Sequence, residues 1–498
     1  MNQTSKMTNY RWVICSLLFF ATTVNYMDRQ VLSLTWKDFI APEFHWTDSD
    51  YGTITSLFSL FYSVAQLFAG RFIDWMGTKK GYLWAIGIWS AGACLHAFCG
   101  WGTELVLGVD DASALVGLKT GSAMAVTAAT VSVYFFVAAR LVLAAGEAGN
   151  FPAAVKVTAE YFPKKDRAFA TSLFNSGAAI GALLAPLTIP TLAKYFQSIG
   201  IGNGWEISFI LIGALGFVWM GFWVFLYDKP TQNKHVNAAE LAYINLDSNN
   251  EEDGVKNNLD QKENNAEPQE EKQLSIVQAF HYRQTWAFTL GKFITDGVWW
   301  FFLFWIPAYV SDVYHLPSSD PKAQLLIFVL YAIVMLSIIG GYLPTYFVNK
   351  RGMEPYAGRM KALLIFAFIP LLALFAQPLG TYSYWYPIVI IGIACAAHQA
   401  WSANLYSTIG DMFPKSTIAT IVGIGGMAGG IGSAFINKGS GMLFDYSVGT
   451  ATRAPLHVFG FEGKPAGYFL VFCFCAVAYL IAWCVMKLLV PKYKEVKL

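Results

Sequence analysis

Long stretches without a single Asp, Glu, Lys or Arg are the feature that most constrains the fold of this chain. A helix needs about 20 apolar residues to cross the hydrocarbon core of a bilayer. Nine charge-free stretches reach about that length, and one of them is long enough for two helices broken at Pro378. They are residues 51–70, 81–103, 120–139, 168–193, 207–227, 323–349, 362–410, 416–437 and 465–486. These stretches predict ten membrane-spanning helices.

Two further segments, residues 11–34 and 284–311, are apolar apart from two ions each, and the stretch from residue 120 must run on to Glu147. In the second segment Lys292 and Asp296 are one helical turn apart and are expected to neutralise each other. The sequence therefore predicts an all-α membrane protein with twelve spanning helices. Its 55% hydrophobic and 13% charged residues and formal net charge of +2 argue against a soluble enzyme or a nucleic-acid-binding protein.

The basic residues are distributed unevenly between the two sides of the predicted membrane. With the N-terminus placed inside, 24 of the 34 Lys and Arg residues fall on that side, six on the opposite side and four within spans. The positive-inside rule therefore predicts that both termini are cytoplasmic. The first apolar run continues past Asn25 without a cleavage site, which favours a first helix over a signal peptide.

The seven cysteines all lie in apolar runs and lack the spacing of metal ligands. They are interpreted as small hydrophobic residues rather than as disulfides or a zinc site. A membrane enzyme would need a convergent nucleophile and base, or a metal cluster, in its polar loops, and the sequence shows neither. It therefore predicts a protein that is not an enzyme and has no metal or cofactor.

A polar linker divides the chain into two halves. Residues 228–280 are rich in Asn, Glu and Gln, a composition that cannot bury enough apolar surface to fold alone. This predicts one six-helix bundle over residues 1–227 and another over residues 281–498. The tripeptide Phe-Pro-Lys precedes the fifth predicted helix at 162–164 and recurs before the eleventh at 413–415. Such duplication is typical of transporters whose two bundles move about a site at mid-membrane.

The loop after the second helix carries a spaced motif, Gly70, Asp74, Gly77, Lys79 and Lys80. Gly70 would let helices approach closely, Asp74 could meet a helix N-terminus or an Arg of the other bundle, and the lysines could anchor at lipid headgroups. An ordinary positive loop would explain the lysines alone. The motif resembles the signature loop of the major facilitator superfamily. The resemblance implies that superfamily's fold, twelve helices in two pseudo-symmetric six-helix bundles, and a gating role for the motif.

Charged residues within the first and fourth helices mark a candidate site, because an ion at membrane depth is costly unless it is paired or hydrated. Asp28 and Arg29 are adjacent and point about 100° apart on a helix, so each is expected to have a different partner. Their alternative interpretation is a snorkelling pair at the membrane interface. Arg140 and Glu147 are two turns apart on one face, which predicts either a titrating carboxylate held by Arg140 or a permanent structural ion pair.

The segments around these ions resemble the anion:cation symporter family of the same superfamily. Members carry Asp-Arg on the first helix and Arg…Gly-Glu-Ala…Phe-Pro on the fourth. The resemblance implies that Arg29 binds the carboxylate of an organic anion and that Asp28 and Glu147 couple transport to protons. Arg140 would then hold Glu147 and tune its protonation.

Polar residues on the tenth predicted helix restrict the class of substrate that the protein could bind. His398, Gln399 and Asn404 lie at membrane depth, where polar side chains are costly unless they face a wet cavity. Their spacing prevents all three from sharing one narrow helix face, so at most two are expected to contact a ligand. His398 taken alone is equally well explained as a hydrogen-bonded core histidine.

Aromatic residues predict walls for a sugar ring, whose apolar side suits an indole face. Trp300 or Trp305 on the seventh helix would supply such a wall, and Tyr26 and Tyr62 are predicted as further substrate contacts. The seventh and tenth helices resemble the hexuronate transporter branch of the family, which takes up glucuronate and galacturonate with protons. By that resemblance, the amide residues of the tenth helix would bind sugar hydroxyls.

The sequence thus predicts a monomeric symporter that moves a hexuronate with protons by alternating access, driven by the proton gradient, with the lipid bilayer as its surroundings. The same mechanism acting on another organic anion, such as an aldonate or glucarate, is the alternative, and a membrane nutrient sensor a remote one. Residues 101–128 form an additional stretch between the third and fourth helices to which no chemistry is assigned.

Overall fold

The computed structural model describes residues 7–246 and 275–496. It contains twelve long helical segments in chain order, so the prediction of an all-α membrane protein with twelve spans is confirmed. The segments are α1 (Arg11–Thr35), α2 (Asp48–Met76), α3 (Thr78–His96, continued by Cys99–Leu107), α4 (Ala123–Glu147, continued by Asn150–Tyr161), α5 (Lys164–Ser198), α6 (Trp205–Leu226), α7 (Arg283–Tyr314), α8 (Pro321–Val334 and Ser337–Arg351), α9 (Pro355–Phe368, continued by Ile369–Phe375 and Ala376–Gly380), α10 (Trp385–Met412), α11 (Lys415–Val448) and α12 (Lys464–Leu489).

Nine of these segments, within the described part of the chain, are long and apolar enough to cross a membrane by themselves, and α3 qualifies when its two pieces, bent by 49°, are taken together. The first helix carries the ions Asp28 and Arg29, and α8 is interrupted after Val334, which leaves its first piece only 14 residues long. Twelve crossings place both chain ends at one face of the molecule, called here the terminal face. The opposite one is called the distal face.

The two halves pack against each other chiefly along α2 and α11. Glycines on α11 make this possible: a Cβ on Gly430 would overlap the Ser63 hydroxyl of α2, and one on Gly441 would overlap the backbone at Asp48. Small residues at helix contacts let backbones approach within a membrane, where van der Waals packing holds helices together. The interface is therefore a close backbone seam rather than an interlocking of large side chains.

A ring of four alternating ions joins the halves at the distal face. Lys37 lies 3.1 Å from Asp48 and 2.9 Å from Asp312, and Lys464 lies 2.6 Å from Asp48 and 3.0 Å from Asp312. Two of these contacts link residues of the same half, and two cross between the halves. The Tyr468 hydroxyl also donates to Asp312 at 3.1 Å. This distal ring, as it is called below, closes the distal face.

Two further carboxylates strengthen the same closure. Asp445 of α11 accepts hydrogen bonds from the backbone N–H groups of Asp48 and Ser49, at 2.9 and 2.8 Å, at the start of α2. A carboxylate is favoured there by the unpaired N–H groups of a helix N-terminus. Asp38 accepts from the Ser311 hydroxyl at 2.7 Å, again across the two halves.

The start of the linker folds onto the N-terminal half. Its helix Ala238–Ile244 places Glu240 at the start of α1, where the carboxylate accepts from the N–H groups of Tyr10 and Arg11 and pairs with the Arg11 guanidinium at 3.1 Å. The predicted Asn- and Glu-rich tracts at 249–253 and 267–271 lie outside the described residues. The division into residues 1–227, 228–280 and 281–498 stays a prediction.

The additional stretch at 101–128 is partly helix. Its first residues belong to the Cys99–Leu107 piece of α3, and its last belong to α4. Between them, helix Ala112–Val116 packs on Ala41–Phe44, and the His45 ring bonds the Leu115 carbonyl at 2.9 Å. The segment therefore covers the link between α1 and α2 at the distal face.

Candidate functional site

A buried ion pair lies between α1 and α4. The Arg29 guanidinium donates to one Glu147 oxygen from two nitrogens, at 2.7 and 3.1 Å, and both side chains are almost completely enclosed. The prediction that Arg140 holds Glu147 is wrong for this structure, because Arg29 makes that bond. Seven helical residues rise about 10.5 Å, too far for direct side-chain contact, whereas Arg29 projects from the neighbouring helix at the level of Glu147.

Four aromatic rings surround the Arg29 guanidinium. Its central carbon lies 5.3 Å from the ring centroid of Tyr26, 5.9 Å from Phe58, 4.8 Å from Tyr62 and 4.9 Å from Trp300. Ring faces attract a cation within about 6 Å. Tyr26, Phe58 and Tyr62 come from α1 and α2, whereas Trp300 comes from α7, so both halves build this aromatic enclosure. The structure thus brings Tyr26, Tyr62 and Trp300 to Arg29, together with Phe58.

The sequence argument missed Phe58. Phe58 and Tyr62 are one turn apart on α2, a spacing that places both rings on the same helix face. A one-turn partner of Tyr62 was therefore detectable, although an aromatic residue in a membrane helix is usually explained by packing. Phe58 also lies beneath Arg140, whose guanidinium carbon is 5.3 Å from the ring centroid.

Asp28 lies within the N-terminal bundle and makes a different kind of contact from Arg29. Its side chain is 1% exposed, and its carboxylate interacts with the Trp89 indole. One Arg140 nitrogen and the second Glu147 oxygen are buried without hydrogen-bond partners among the described residues. Buried polar atoms in native proteins are normally satisfied by protein or water. These groups therefore form an incompletely satisfied polar cluster beside the ion pair.

Of the two tryptophans that could form a ring wall, only Trp300 faces Arg29. Trp305 is fully buried, its indole N–H donates to Asn437 at 2.9 Å, and its ring packs edge-on against Tyr51 with centroids 5.0 Å apart. The five-residue separation turns the two tryptophans about 140° apart on α7. Trp305 consequently lies in the core near the distal face, outside the aromatic enclosure.

The polar residues of α10 go to separate surroundings. His398 bonds the Tyr479 hydroxyl at 2.8 Å and stacks on Trp299, the core arrangement that was one of its two interpretations. The Asn404 amide donates to the Ala400 carbonyl at 2.8 Å and opens on a cavity of about 440 Å³ between α8, α9 and α10. Gln399 is half-buried. The three residues do not share one face, in agreement with their spacing.

Lys292 and Asp296 form the ion pair that their spacing predicts, with 2.6 Å between Nζ and Oδ2. The Lys292 ammonium also lies 4.6 Å from the ring centroid of Tyr406 on α10. Lys438, on α11, donates to the Ser49 hydroxyl at 2.9 Å and so joins the two halves.

The signature loop is held within the N-terminal half. Asp74 pairs with Lys156 at 2.6 Å, and Lys79 pairs with Asp228 at 2.7 Å, whereas Lys80 is exposed. A Cβ on Gly70 would meet nothing within 4 Å, so the expected close helix approach at that glycine is wrong. Gly77 has a φ of 78° in the turn between α2 and α3, a conformation that glycine adopts without strain. The gating role of these residues stays a prediction.

The chain resembles proteins of known function over most of its length. It is 27% identical over 462 residues to the hexuronate transporter of Escherichia coli K12, covering 92% of this chain and 93% of that protein. It is 25% identical to the galacturonate transporter of Dickeya chrysanthemi, covering 79% and 97%. It is 26% identical to a probable galactarate/D-glucarate transporter of Escherichia coli K12, covering 88% of both.

Solved structures show the same fold. An inward-facing, unoccupied bacterial homologue of the human lysosomal transporter Spinster superposes with a TM-score of 0.67 at 18% identity, covering 97% of this chain and 98% of that one. A D-xylose-proton symporter superposes with a TM-score of 0.68 at 14% identity, covering 98% and 100%. The sequence model of the Major Facilitator Superfamily matches residues 18–436. This chain belongs to the major facilitator superfamily.

Proposed function

We propose that this transporter carries hexuronate sugar acids together with protons by alternating access. The observation that carries the proposal is the Arg29–Glu147 pair inside an aromatic enclosure built by both halves. Curated relatives named as hexuronate and galacturonate transporters support the substrate class. We also propose that the protein works as a monomer in a bacterial inner membrane with both termini in the cytoplasm.

The carboxylate of the sugar acid takes the place of Glu147 on Arg29. A planar guanidinium binds a carboxylate through two parallel charge-assisted hydrogen bonds, so the incoming anion offers the same bonds that Glu147 makes now. The two guanidinium groups, Arg29 and Arg140, would then face three carboxylates, those of the substrate, Asp28 and Glu147, and the excess negative charge is costly at membrane depth. Binding a proton removes that cost, so loading of the anion and protonation of Glu147 occur together.

Asp28 provides a second proton site beside the first. Its buried carboxyl interacts with the Trp89 indole and with the charges of Arg140 and Glu147. A proton on Asp28 would remove an unpaired buried charge, just as a proton on Glu147 would. Arg140, which makes no ion pair with Glu147, would balance whichever carboxylate remains charged.

The aromatic residues hold the rest of the sugar. Tyr62 and Trp300, one from each half of the protein, both lie against Arg29 and pack edge-to-face on each other with ring centroids 6.1 Å apart. Their ring faces suit the C–H face of a pyranose, while the Tyr26 and Tyr62 hydroxyls can bond its oxygens. A ligand held in this way touches both halves and links substrate binding to their relative motion.

Transport of labelled glucuronate and galacturonate into proteoliposomes tests the proposal. An imposed acidic exterior is expected to stimulate accumulation, and uptake without such stimulation would refute proton coupling. Glu147→Gln should keep counterflow exchange but lose gradient-driven accumulation, because a neutral amide cannot take part in the proton cycle. Lys234→Gln, which removes one exposed charge of the terminal face, is the control. Labelled aldonate and glucarate measured in the same vesicles test the alternative anions.

A further inference from the structure

The Lys292–Asp296 pair is a charged group that carriage of a carboxylate on Arg29 does not use. Both side chains are enclosed, with exposed fractions of 4% and 14%, and the second Asp296 oxygen, Oδ1, is buried without a hydrogen-bond partner among the described residues. A buried ion pair is weak evidence for a stabilising role, because apolar residues of similar volume often stabilise a protein equally well. The pair therefore calls for a functional explanation.

Its position relates it to the aromatic enclosure. Asp296 is four residues from Trp300 on α7, a rise of about 6 Å, and Trp300 lies 4.9 Å from Arg29. On the other side of the pair, Lys292 lies against Tyr406 of α10. The pair thus borders the enclosure on the side of the C-terminal half.

The chemistry of the pair suits hydroxyl groups better than a second carboxylate. Lys292 presents N–H donors and Asp296 an acceptor oxygen, side by side. Two neighbouring sugar hydroxyls can accept from the first and donate to the second at once. A second carboxylate could bind Lys292 only by displacing Asp296, which would then be a buried charge without its partner.

We propose that Lys292 and Asp296 bind the hydroxyl end of the sugar acid and make the site selective for substrates with one carboxylate. This inference rests on the proposed function. Arg29 of the N-terminal half fixes the carboxylate, and the Lys292–Asp296 pair of the C-terminal half fixes vicinal hydroxyls. A dianionic hexarate presents a carboxylate at both ends and therefore has to bring one of them to Asp296.

Competition binding to the purified full-length protein tests this inference. Unlabelled galactarate is expected to displace labelled galacturonate at least tenfold less effectively than unlabelled galacturonate does. Asp296→Asn leaves Lys292 with an unbalanced positive charge. The affinity for galactarate, relative to the affinity for galacturonate, should therefore rise by about tenfold or more. In the neutral double variant Lys292→Met with Asp296→Asn, the affinity for galacturonate should fall by tenfold or more.

The double variant guards against misfolding, since it removes both charges together and leaves no unpaired ion. Lys119→Met, which removes an exposed lysine of the distal face, is the control. Equal competition by galactarate in the unaltered protein would overturn the selectivity inference but leave the proposed function intact. The selectivity inference would also be overturned if the double variant kept both its affinity for galacturonate and its ratio of galactarate to galacturonate affinity. Failure of the unaltered protein to bind any sugar acid would overturn both.

Discussion

Neutralising Asp312 should open the distal face. In the distal ring, Asp312 contacts Lys37 of the other half at 2.9 Å and Lys464 of its own half at 3.0 Å. Only the contact that crosses between the halves must break when the distal face opens. The contact within the C-terminal half persists in both states, and its loss leaves the equilibrium nearly unchanged. The change in the free-energy difference between the two states caused by Asp312→Asn is therefore the free energy of one ion pair between the halves, Lys37–Asp312.

The burial of that pair sets its magnitude. Its side chains are 21% and 8% exposed, which places the pair between a surface ion pair, worth up to about 1 kcal/mol, and a charge-assisted hydrogen bond, worth up to about 3 kcal/mol. A value of about 1.5 kcal/mol corresponds to roughly a tenfold shift between the two states. Asp312→Asn should thus raise the ratio of distal-open to distal-closed molecules about tenfold. High salt should produce a smaller shift in the same direction.

Double electron–electron resonance between spin labels measures this shift. Thr120→Cys, just before α4, and Ala451→Cys, just after α11, place exposed labels on the two halves at the distal face of a protein otherwise free of cysteine. Asp110→Asn changes the charge of the same face at an exposed position away from the distal ring and serves as the control. An Asp312→Asn distance distribution that matches the control, or moves to shorter distances, would refute the reasoning.

Three further outcomes follow from the structure. Arg29→Lys should weaken galacturonate binding at least tenfold, measured by titration calorimetry, because a lysine cannot offer two parallel bonds. Trp300→Leu should also lower that affinity, whereas Trp305→Phe should leave it unchanged and lower the melting temperature, since it loses the bond to Asn437 and part of the buried packing of the indole. Glu240→Gln should lower the melting temperature at pH 7, and the difference from the unaltered protein should disappear as the pH falls through the lowered folded-state pKa of Glu240.

The sign of the pH effect comes from the surroundings of Glu240, outside the spans. Burial raises the pKa of its carboxyl, but hydrogen bonds from the Arg11 N–H, the Thr8 hydroxyl and the Tyr10 N–H outweigh burial and hold that pKa below its ordinary value. A lowered pKa contributes stability that is fully present above the unfolded-state value and is lost as pH falls through the folded-state value. A melting-temperature difference that persists in acid would contradict this account.

The sequence predicts the helices well because a charge-free run of about 20 residues crosses a bilayer as a helix, which satisfies its backbone hydrogen bonds internally. The predicted positions of helix ends are less accurate. The charge-free stretch of α11 stops before Lys438, but the helix continues to Val448. An ion can lie within the helix there because Lys438 bonds Ser49 of the other half. The cost of buried charge likewise drew attention to Arg29 and Glu147, which form a buried ion pair in the structure.

The presence of a charge in an apolar stretch does not tell which residue that charge will bond. Glu147 bonds Arg29 rather than Arg140 because the level and rotation of α1 against α4 decide the contact, and spacing along one helix carries no such information. Sequence spacing also could not separate Trp300 from Trp305. Their neighbours in the sequence are similar, but Trp300 lies in the aromatic enclosure and Trp305 lies in the core. Lys79, expected at lipid headgroups, bonds Asp228 because the chain returns there after α6.

The bond between Arg29 and Glu147 has a consequence for the unloaded transporter. A carrier that accumulates its substrate must reset between cycles with nothing bound, and a lone buried guanidinium would make that reset costly. Glu147 serves as an internal counter-ion that travels with the protein, so the vacant site crosses the membrane electrically balanced. Under the proposed function, a carrier built in this way would not depend on an outgoing anion to complete each cycle.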